Sequence, residues 1–448
     1  MRVLNKLFST LKLSGDRSKV IRNIFWAILG KITSLLGGLL VGIFVARYLG
    51  PKDYGLMNYV ISYVSLFQVF ATFGLDNIEI REESKKTHSV DEILGTSIIL
   101  KILFALVTIL LIAITTYLNS NDGYTRLMIF IYSFSIILNS SNVIRNFFTS
   151  LVWNEYIVKT EISRTILGAF IKILLLLLKA PLSAFIIACL LDVLILALGY
   201  FSSYKKHIGN FKDWRFNKSI ALYLIRESFP LLLSGTAVVI YQRIDQVMIG
   251  DMIDNASVGY FSVASKFVEV IIFIPNIMAQ TITPILIRRF KDNYADYLVY
   301  AQKFMDITVW LSIIMAVLIS CIANPLIKLT FGIQYLSSVT ILQVMSYKVV
   351  GMALSSCAGQ MIILEGNQKY AFIRNVMGCI LCVVLNLLFI PKWGIIGSSV
   401  VTVVTTLFTG VLANVFIPPY WKYLRYQIKA LLFGWRELLS FKSILHYQ

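Results

Sequence analysis

Seven basic residues lie inside segments that are otherwise apolar enough to cross a membrane. They are Lys31, Lys101, Arg145, Lys172, Arg243, Lys266 and Lys348. A cation at the centre of a bilayer costs about 2.5–3.5 kcal/mol on insertion scales, so these side chains must face protein or water. Because Lys and Arg make charge-assisted hydrogen bonds to phosphate, a cavity lined by them would attract phosphate or pyrophosphate.

Only three acidic residues lie near the middle of these apolar segments, namely Asp192, Asp245 and Glu269. Lys266 and Glu269 are three residues apart, so an ion pair along one helix face is expected. Arg243 and Asp245 are two apart and therefore point in different directions, which predicts pairing across helices. Asp192 is expected to neutralise a cation of the same half, either Lys172 or Lys101.

Pairing of this kind divides the cations into two groups. Lys101, Arg145 and Lys172 are the ones best explained by structural pairing or by snorkelling, although Arg145 also adjoins a polar stripe and stays a substrate candidate. The substrate-binding candidates are Lys31, Arg243, Lys266, Lys348 and Arg145. The polar or ion-coupling candidates are Asp245, Glu269, Asn58, Asn142, Asn276 and Gln280.

Polar residues at helical spacing indicate a water-accessible cavity between the predicted helices. Four predicted helices each carry one polar face, marked by Asn58 and Ser62, by Asn142 and Asn146, by Lys266 through Gln280, and by Lys348 with Ser355. Hydrogen bonding between helices is the alternative use of such stripes. We prefer that alternative for Ser398, Thr402, Thr405 and Thr409, because no charge lies on their stripe.

The composition identifies a membrane protein with no catalytic unit. Of 448 residues, 58% are hydrophobic and 14% charged, against about 25% charged in soluble domains. The longest polar stretch, 204–227, is too short for a soluble domain. There is no P-loop, nucleophile elbow or metal-ligand cluster, so neither an enzyme nor a cofactor is predicted. The net charge of +18 is explained by membrane topology rather than by nucleic acid.

The apolar runs predict an all-α protein with twelve membrane-spanning helices, each of about 20 residues. Their predicted bounds are 22–46, 54–75, 93–117, 126–149, 160–178, 182–203, 229–250, 257–287, 304–326, 337–364, 371–391 and 394–418. The termini and the loops on their side hold 28 Lys and Arg, and the opposite loops hold 6. The positive-inside rule therefore places both termini in the cytoplasm.

A basic loop in the middle of the chain predicts two six-helix lobes around a central cavity. Tyr54-Gly55 and Val258-Gly259 recur 204 residues apart, which favours an internal repeat. A single bundle without repeats is the alternative. The predicted parts are a basic amphipathic N-terminus (1–21), an N-lobe (22–203), a linker (204–228), a C-lobe (229–418) and a tail (419–448) that lies as an amphipathic helix on the inner leaflet.

Several motifs resemble those of one transporter family. The stretch Ala46–Gly55 (ARYLGPKDYG) resembles the signature after the first helix of bacterial polysaccharide repeat-unit flippases, the Wzx group. Phe73-Gly74-Leu75 with Arg81 resembles the end of their second helix. The segments 364–369 and 390–397, with Asn386 between them, resemble their helix ten to twelve region. The resemblance extends over the whole chain.

This resemblance implies a member of the multidrug, oligosaccharidyl-lipid and polysaccharide exporter superfamily. It implies alternating access and, as substrate, an undecaprenyl-pyrophosphate-linked oligosaccharide of O-antigen or capsule type that crosses the bacterial inner membrane. Membrane lipids, a polymerase and a chain-length regulator are the expected partners, and a monomer is expected. Two alternatives stay open: a multidrug exporter of the same fold, and a non-transporting scaffold of glycan assembly.

Overall fold

The computed structural model describes residues 15–85, 89–119 and 122–439, which form helices and no strand. The all-α prediction is confirmed. The helices are α1 Gly15–Thr72, α2 Leu75–Lys85, α3 Val90–Leu118, α4 Gly123–Ser133, α5 Ser135–Leu138, α6 Asn142–Ser150, α7 Asn154–Leu177, α8 Leu182–His207, α9 Lys218–Met252, α10 Asn255–Asp292, α11 Tyr294–Thr330, α12 Ser338–Met345, α13 Lys348–Leu364, α14 Ala371–Gly410, α15 Trp421–Phe433 and α16 Trp435–Leu439. Short 3₁₀ turns connect several of them.

Nine helical segments within the described residues are long and apolar enough to cross a membrane. Two of the nine contain a backbone break at a glycine. Gly50 interrupts α1 with φ 73° and ψ 173°, and Gly394 interrupts α14 with φ 58° and ψ −139°. Glycine has no Cβ to clash at positive φ, so these residues are the natural points for the chain to change direction. The prediction of a multi-pass membrane protein is confirmed.

The described chain divides into two compact units. The first unit runs to Gly42 and resumes with Phe67–Leu232. The second comprises Ile43–Leu66 and the described residues from Leu233 onward. The first has an apolar cluster around Ile144, Phe148 and Tyr200. An apolar cluster of the second is built around Met305, Leu354 and Tyr423.

Two glycines bring helices of the second unit into backbone contact. A Cβ on Gly55 of α1 would overlap the carbonyl of Asn255 and would lie 2.8 Å from the amide nitrogen of Gly259. A Cβ on Gly259 of α10 would overlap the carbonyl of Pro51. Each glycine therefore packs against the residues that surround the other. This explains why the signature motif ends in glycine: it is a packing motif.

The rest of the signature also makes structural contacts within the second unit. The hydroxyl of Tyr335 donates to the carbonyl of Ala46 over 2.9 Å. The side-chain amide of Gln334 donates to the carbonyl of Arg47 over 3.0 Å, and the Arg47 guanidinium donates to the carbonyl of Leu329. These contacts hold the loop that follows α11 against α1.

The first unit contains a buried charge network. The ammonium of Lys101 is 2.7 Å from Asp76 and 2.8 Å from Glu79, and the Lys101 side chain is 2% exposed. The amide of Asn146 donates to the same two carboxylates over 2.9 and 2.6 Å. Lys101 is therefore structural, as expected. Its partners differ from the expected Asp192, because they come from the short charged helix α2, outside the predicted spans.

Glu83 lies one helical turn beyond Glu79 on α2 and is 4% exposed. Burial raises the pKa of the Glu79 carboxyl, and Lys101 opposes that effect. Burial, together with the neighbouring charge of Glu79, raises the pKa of Glu83 to about 9. Glu83 is therefore protonated at neutral pH, which limits the negative charge buried in this network.

The tail is helical over α15 and α16, as predicted, but one face of α15 packs on protein. Tyr423, Gln427 and Ala430 are completely buried. The Gln427 amide donates to the carbonyl of Gly410 over 2.7 Å and to that of Leu354 over 3.2 Å. The placement on the inner leaflet stays a prediction, and the buried face of α15 is not available for it. The first fourteen residues of the predicted N-terminal segment, and residues 440–448 of the tail, lie outside the described residues.

Candidate functional site

The candidate site is built around Asp245 of α9, a carboxylate that is 3% exposed in the second unit. The amide of Asn386 donates to its Oδ1 atom over 2.7 Å. The hydroxyl of Thr402 donates to its Oδ2 atom over 2.6 Å, and the thiol of Cys382 approaches Oδ1 at 3.5 Å. Every direct hydrogen-bonding partner that the described residues supply to this carboxylate is therefore neutral.

The break at Gly394 explains how one helix can supply both donors. Asn386 and Thr402 lie 16 positions apart on α14, which in an uninterrupted helix would separate them by about 24 Å. Both nevertheless contact the same carboxylate, because α14 changes direction between them. Cys382 and Asn386 are four residues apart and share one helical face. The Asn386 amide also donates to the Cys382 carbonyl over 3.0 Å, which orients it.

Charged residues surround this centre at longer range. Lys348, at the start of α13, interacts electrostatically with Asp245 and Glu269 and is repelled by Arg243. The second unit thus gathers four of the predicted site residues: two cations and two acids. Asp245 and Lys348 form no direct ion pair in the described part of the chain, so the ammonium retains capacity to bind an external anion.

Polar atoms without partners accompany the Asp245 centre. The carbonyl oxygen of the Asn386 side chain and the hydroxyl of Ser398 are buried and have no hydrogen-bonding partner among the described residues. Such atoms are costly to bury unless a water or an ion satisfies them. A carboxylate with neutral side-chain oxygen atoms near it is chemically suited to hold a proton or to bind a hard monovalent cation.

Comparison with known proteins decides the family. Residues 20–290 match the family model described as polysaccharide biosynthesis protein, which is more than half of the chain. The chain belongs to the polysaccharide biosynthesis protein family. The resemblance predicted from the sequence motifs is therefore confirmed.

A curated relative and two solved structures show how far the likeness extends. The capsular polysaccharide biosynthesis protein CapF of Staphylococcus aureus is 21% identical over 393 residues, covering 85% of this chain and 94% of CapF. The lipid II flippase MurJ, in an inward closed conformation, is 18% identical with a TM-score of 0.66, covering 93% of each chain. An inward-facing multidrug resistance MATE transporter of the MOP superfamily is 15% identical with a TM-score of 0.65, covering 88% of this chain and 96% of the MATE chain. These structures show the fold.

In this family member, Asp245 pairs across helices as predicted, but its partners are the neutral side chains of Asn386 and Thr402 and not a cation. In the described chain, Lys266 and Glu269 make no ion pair either, and Glu269 is exposed. The reason is geometric: helix spacing identifies which residues can meet, but the neutral donors of α14 reach the Asp245 carboxylate directly.

The other predicted residues are spread over both units. In the second unit, Asn58 is buried and donates to the carbonyl of Tyr54 on its own helix over 2.7 Å. Asn276 is half-buried and Gln280 exposed on α10. In the first unit, Lys31 and Arg145 are exposed and Asn142 is half-buried. Arg145 lies 4.0 Å from Glu161.

The polar stripe of the predicted second helix serves helix packing along part of its length. Ser62 donates to the side-chain oxygen of Gln246, and the Gln246 amide donates to Ser262 over 3.3 Å. Tyr59 donates to Asp251 over 2.6 Å.

The site residues that sequence reasoning missed are Asn386 and Thr402. Thr402 was assigned to helix packing because its stripe carries no charge, and only the tertiary structure shows that it faces one.

Proposed function

We propose that the protein is a flippase that moves an undecaprenyl-pyrophosphate-linked oligosaccharide across the bacterial inner membrane. Family membership supports a role in polysaccharide biosynthesis. The observation that carries the proposal is the group of half-buried and buried charges around Asp245, with cations able to bind phosphate in a segment where lipid would exclude them. Phosphate carries the negative charge of the proposed substrate, so a cationic site recognises the part of the molecule least able to enter lipid.

Lys348 and Arg243 are proposed to hold the pyrophosphate, because both lie near the same centre of the second unit. Lys348 supplies a compact ammonium, and Arg243 supplies a planar fork that can bind two phosphate oxygens at once. Lys266, Lys31 and Arg145 stay substrate-binding candidates on charge alone. Glu269 competes with the substrate for Lys348, which provides a means of releasing the anion.

Asp245 is proposed as the site of the driving ion. A proton or a sodium ion would neutralise the carboxylate and weaken its attraction for Lys348. The ammonium would then be more available to the pyrophosphate. Ion binding and substrate binding would be coupled in this way through one lysine, a coupling that is reciprocal by thermodynamic necessity.

We propose a topology of twelve spans in two lobes, with both termini in the cytoplasm. The breaks at Gly50 and Gly394 support it, because each divides one long helix into two. The 24-residue helix α7 also has the length of a span. A monomer that works with a polymerase and a chain-length regulator is proposed on family grounds alone.

Reconstitution tests the flippase directly. Purified protein is placed in vesicles that contain a fluorescent undecaprenyl-pyrophosphate oligosaccharide, and a membrane-impermeant quencher reports how much substrate reaches the outer leaflet. The wild type is expected to expose inner-leaflet substrate with time. Lys348→Gln and Arg243→Gln are each expected to slow this movement, while Lys205→Gln, in the basic end of α8, serves as a control. No movement above empty vesicles would reject the flippase and favour a scaffold.

A multidrug exporter is the second candidate, because the MATE transporter shares the fold. The excess of intramembrane cations over acids argues against lipophilic cations as substrates, since a site for cations needs acidic and aromatic side chains. Drug resistance on overexpression, together with normal surface glycan after deletion of the gene, would favour the exporter over the flippase.

A further inference from the structure

A small cavity of about 90 Å³ lies within the first unit, and several of its lining residues are polar or charged. The first part of α1 contributes Ser34 to it, α7 contributes Arg164 and Lys172, and α8 contributes Asp192. Gly37 and Gly168 also line it. The volume corresponds to about three water molecules, so the space suits a small ion with water and not a sugar or a nucleotide.

Three of the residues that line this cavity each carry a buried polar atom that has no hydrogen-bonding partner among the described residues. These atoms are Oγ of Ser34, Nε of Arg164 and Oδ1 of Asp192. An unsatisfied buried polar atom costs about 1–3 kcal/mol. The residues that carry these atoms come from three different helices and line one cavity, so one occupant of that cavity is the simplest partner for them.

Charge determines what kind of occupant fits. The other carboxylate oxygen of Asp192 pairs with the ammonium of Lys172, one of the two pairings expected from the sequence, and this pair is neutral as a whole. Arg164 makes no ion pair among the described residues, and the nearby Glu161 lies against Arg145 instead. A guanidinium stays protonated in proteins. The cavity therefore carries one positive charge that nothing on the described chain balances.

We propose that this cavity binds a small monovalent inorganic anion of the size of chloride. The Nε–H of Arg164 and the hydroxyl of Ser34 donate to the anion. A water molecule bridges the anion to Oδ1 of Asp192, since a carboxylate oxygen cannot contact an anion directly. A cation is disfavoured at the same place, because Arg164 and Lys172 both repel it.

The bound anion joins three helices of the first unit, which also meet at Gly37 and Gly168 and through the Lys172–Asp192 ion pair. Its predicted effect is therefore on the stability of this unit, and it is independent of the substrate proposed above. The Arg164, Ser34 and Asp192 side chains all lie outside the set assigned to the oligosaccharide, so the two proposals can fail separately.

The experiment measures thermal unfolding of the full-length protein in detergent. Sodium and ionic strength are held constant, so that any sodium bound at Asp245 contributes equally, while the anion is varied among gluconate, chloride, bromide, sulfate and phosphate. The midpoint is expected to rise by about 2–5 °C in chloride and bromide relative to gluconate, following the linkage between ligand binding and stability. Sulfate and phosphate also stabilise folded proteins without binding a site. A larger rise in these anions that Arg164→Met abolishes would show that the site takes oxyanions and would overturn the proposal of a halide.

Matched variants then locate the effect. Arg164→Met is expected to abolish the halide shift, and Ser34→Ala to weaken halide affinity about tenfold, as for the loss of one hydrogen bond to a charged group. Lys159→Met, on the same helix and paired with Glu155, is expected to keep the wild-type shift. Bromide soaked into crystals would give an anomalous signal beside Arg164.

Two further results would overturn the proposal. The first is a wild-type midpoint equal in gluconate and halide, which would mean that the cavity holds water only. The second is an equal loss of the halide shift in Arg164→Met and Lys159→Met, which would place the anion elsewhere. If Arg164→Met does not fold, the halide titration of Ser34→Ala against wild type decides.

Discussion

Asn386 donates its side-chain amide to the carboxylate of Asp245 over 2.7 Å, although the two residues are 141 positions apart in the sequence. This hydrogen bond joins α14 to α9 at the centre of the second unit. Its donor is neutral and so leaves the negative charge of Asp245 uncompensated, a state that a membrane interior tolerates only with a proton, an ion or a charged neighbour.

The first prediction concerns Asp245 itself. Asp245→Asn removes the charge while keeping the shape, so it is expected to slow substrate movement in vesicles by about tenfold or more, which corresponds to about 1.4 kcal/mol. The residual movement is expected to lose its dependence on an imposed proton or sodium gradient. Asp292→Asn, at the exposed end of α10, is the control. Unchanged gradient dependence in Asp245→Asn would exclude it as the coupling site.

The second prediction concerns the buried network of the first unit. Lys101→Met leaves Asp76 and Glu79 without their cation and is expected to destabilise the protein by about 3–5 kcal/mol. The double variant Lys101→Met with Glu79→Gln removes one charge of each sign, so it is expected to regain part of that loss. Thermal unfolding in detergent measures both variants. If the double variant were no more stable than Lys101→Met, the charge balance would not be what Lys101 supplies.

The third prediction is a dependence of stability on pH. The pKa of Glu83 is raised to about 9 in the folded state, against 4.5 for the ordinary carboxyl. Below pH 4.5 both states carry the proton, and the stabilising contribution is fully present. Between pH 4.5 and 9 the folded state alone retains it, so stability falls as the pH rises, by at most about 1.4 kcal/mol per pH unit.

Glu83→Gln isolates this contribution, because glutamine keeps the shape of a protonated glutamate and does not titrate. The unfolding midpoint of the variant is expected to rise steadily relative to that of wild type between pH 5 and pH 9. Glu155→Gln, which pairs with Lys159 at the start of α7, provides the comparison. A constant difference between Glu83→Gln and wild type across this range would show that Glu83 is ionised in the folded protein.

The fourth prediction tests the close contact of α1 and α10. Gly55→Ala and Gly259→Ala each place a methyl group against backbone atoms, which cannot move aside as a side chain can. Each substitution is expected to lower the free energy of unfolding by about 1–3 kcal/mol or more and to lower the amount of folded protein in the membrane. Gly359→Ala, on α13, adds a methyl group where no atom lies within 4 Å. Equal loss in all three variants would contradict the packing explanation.

The sequence predicts the bounds of a helix well where a long apolar run is bordered by a proline or by polar residues. The predicted span 182–203 corresponds to α8, Leu182–His207, which begins directly after Pro181. The predicted span 93–117 corresponds to α3, Val90–Leu118. In these cases the requirement to satisfy backbone groups inside a membrane leaves little alternative to a helix.

The candidate site was less accessible to sequence reasoning, for a physical reason. Charge identifies a residue that needs a partner, and this sufficed to mark Asp245, Lys348 and the alternatives for Asp192. It does not identify the partner when the partner is neutral, as with Asn386 and Thr402. It fails also where the partner lies outside the apolar spans, as with Asp76 and Glu79 for Lys101.

The contact between Gly55 and Gly259 has a consequence for the history of the chain. Pro51 and Gly55 on one side meet Asn255 and Gly259 on the other, and corresponding residues are 204 positions apart in both pairs. A contact in which equivalent positions touch each other reciprocally is isologous, the kind that two identical subunits make about a two-fold axis. A polypeptide that contained only one of the two copies would carry a surface complementary to itself at this turn.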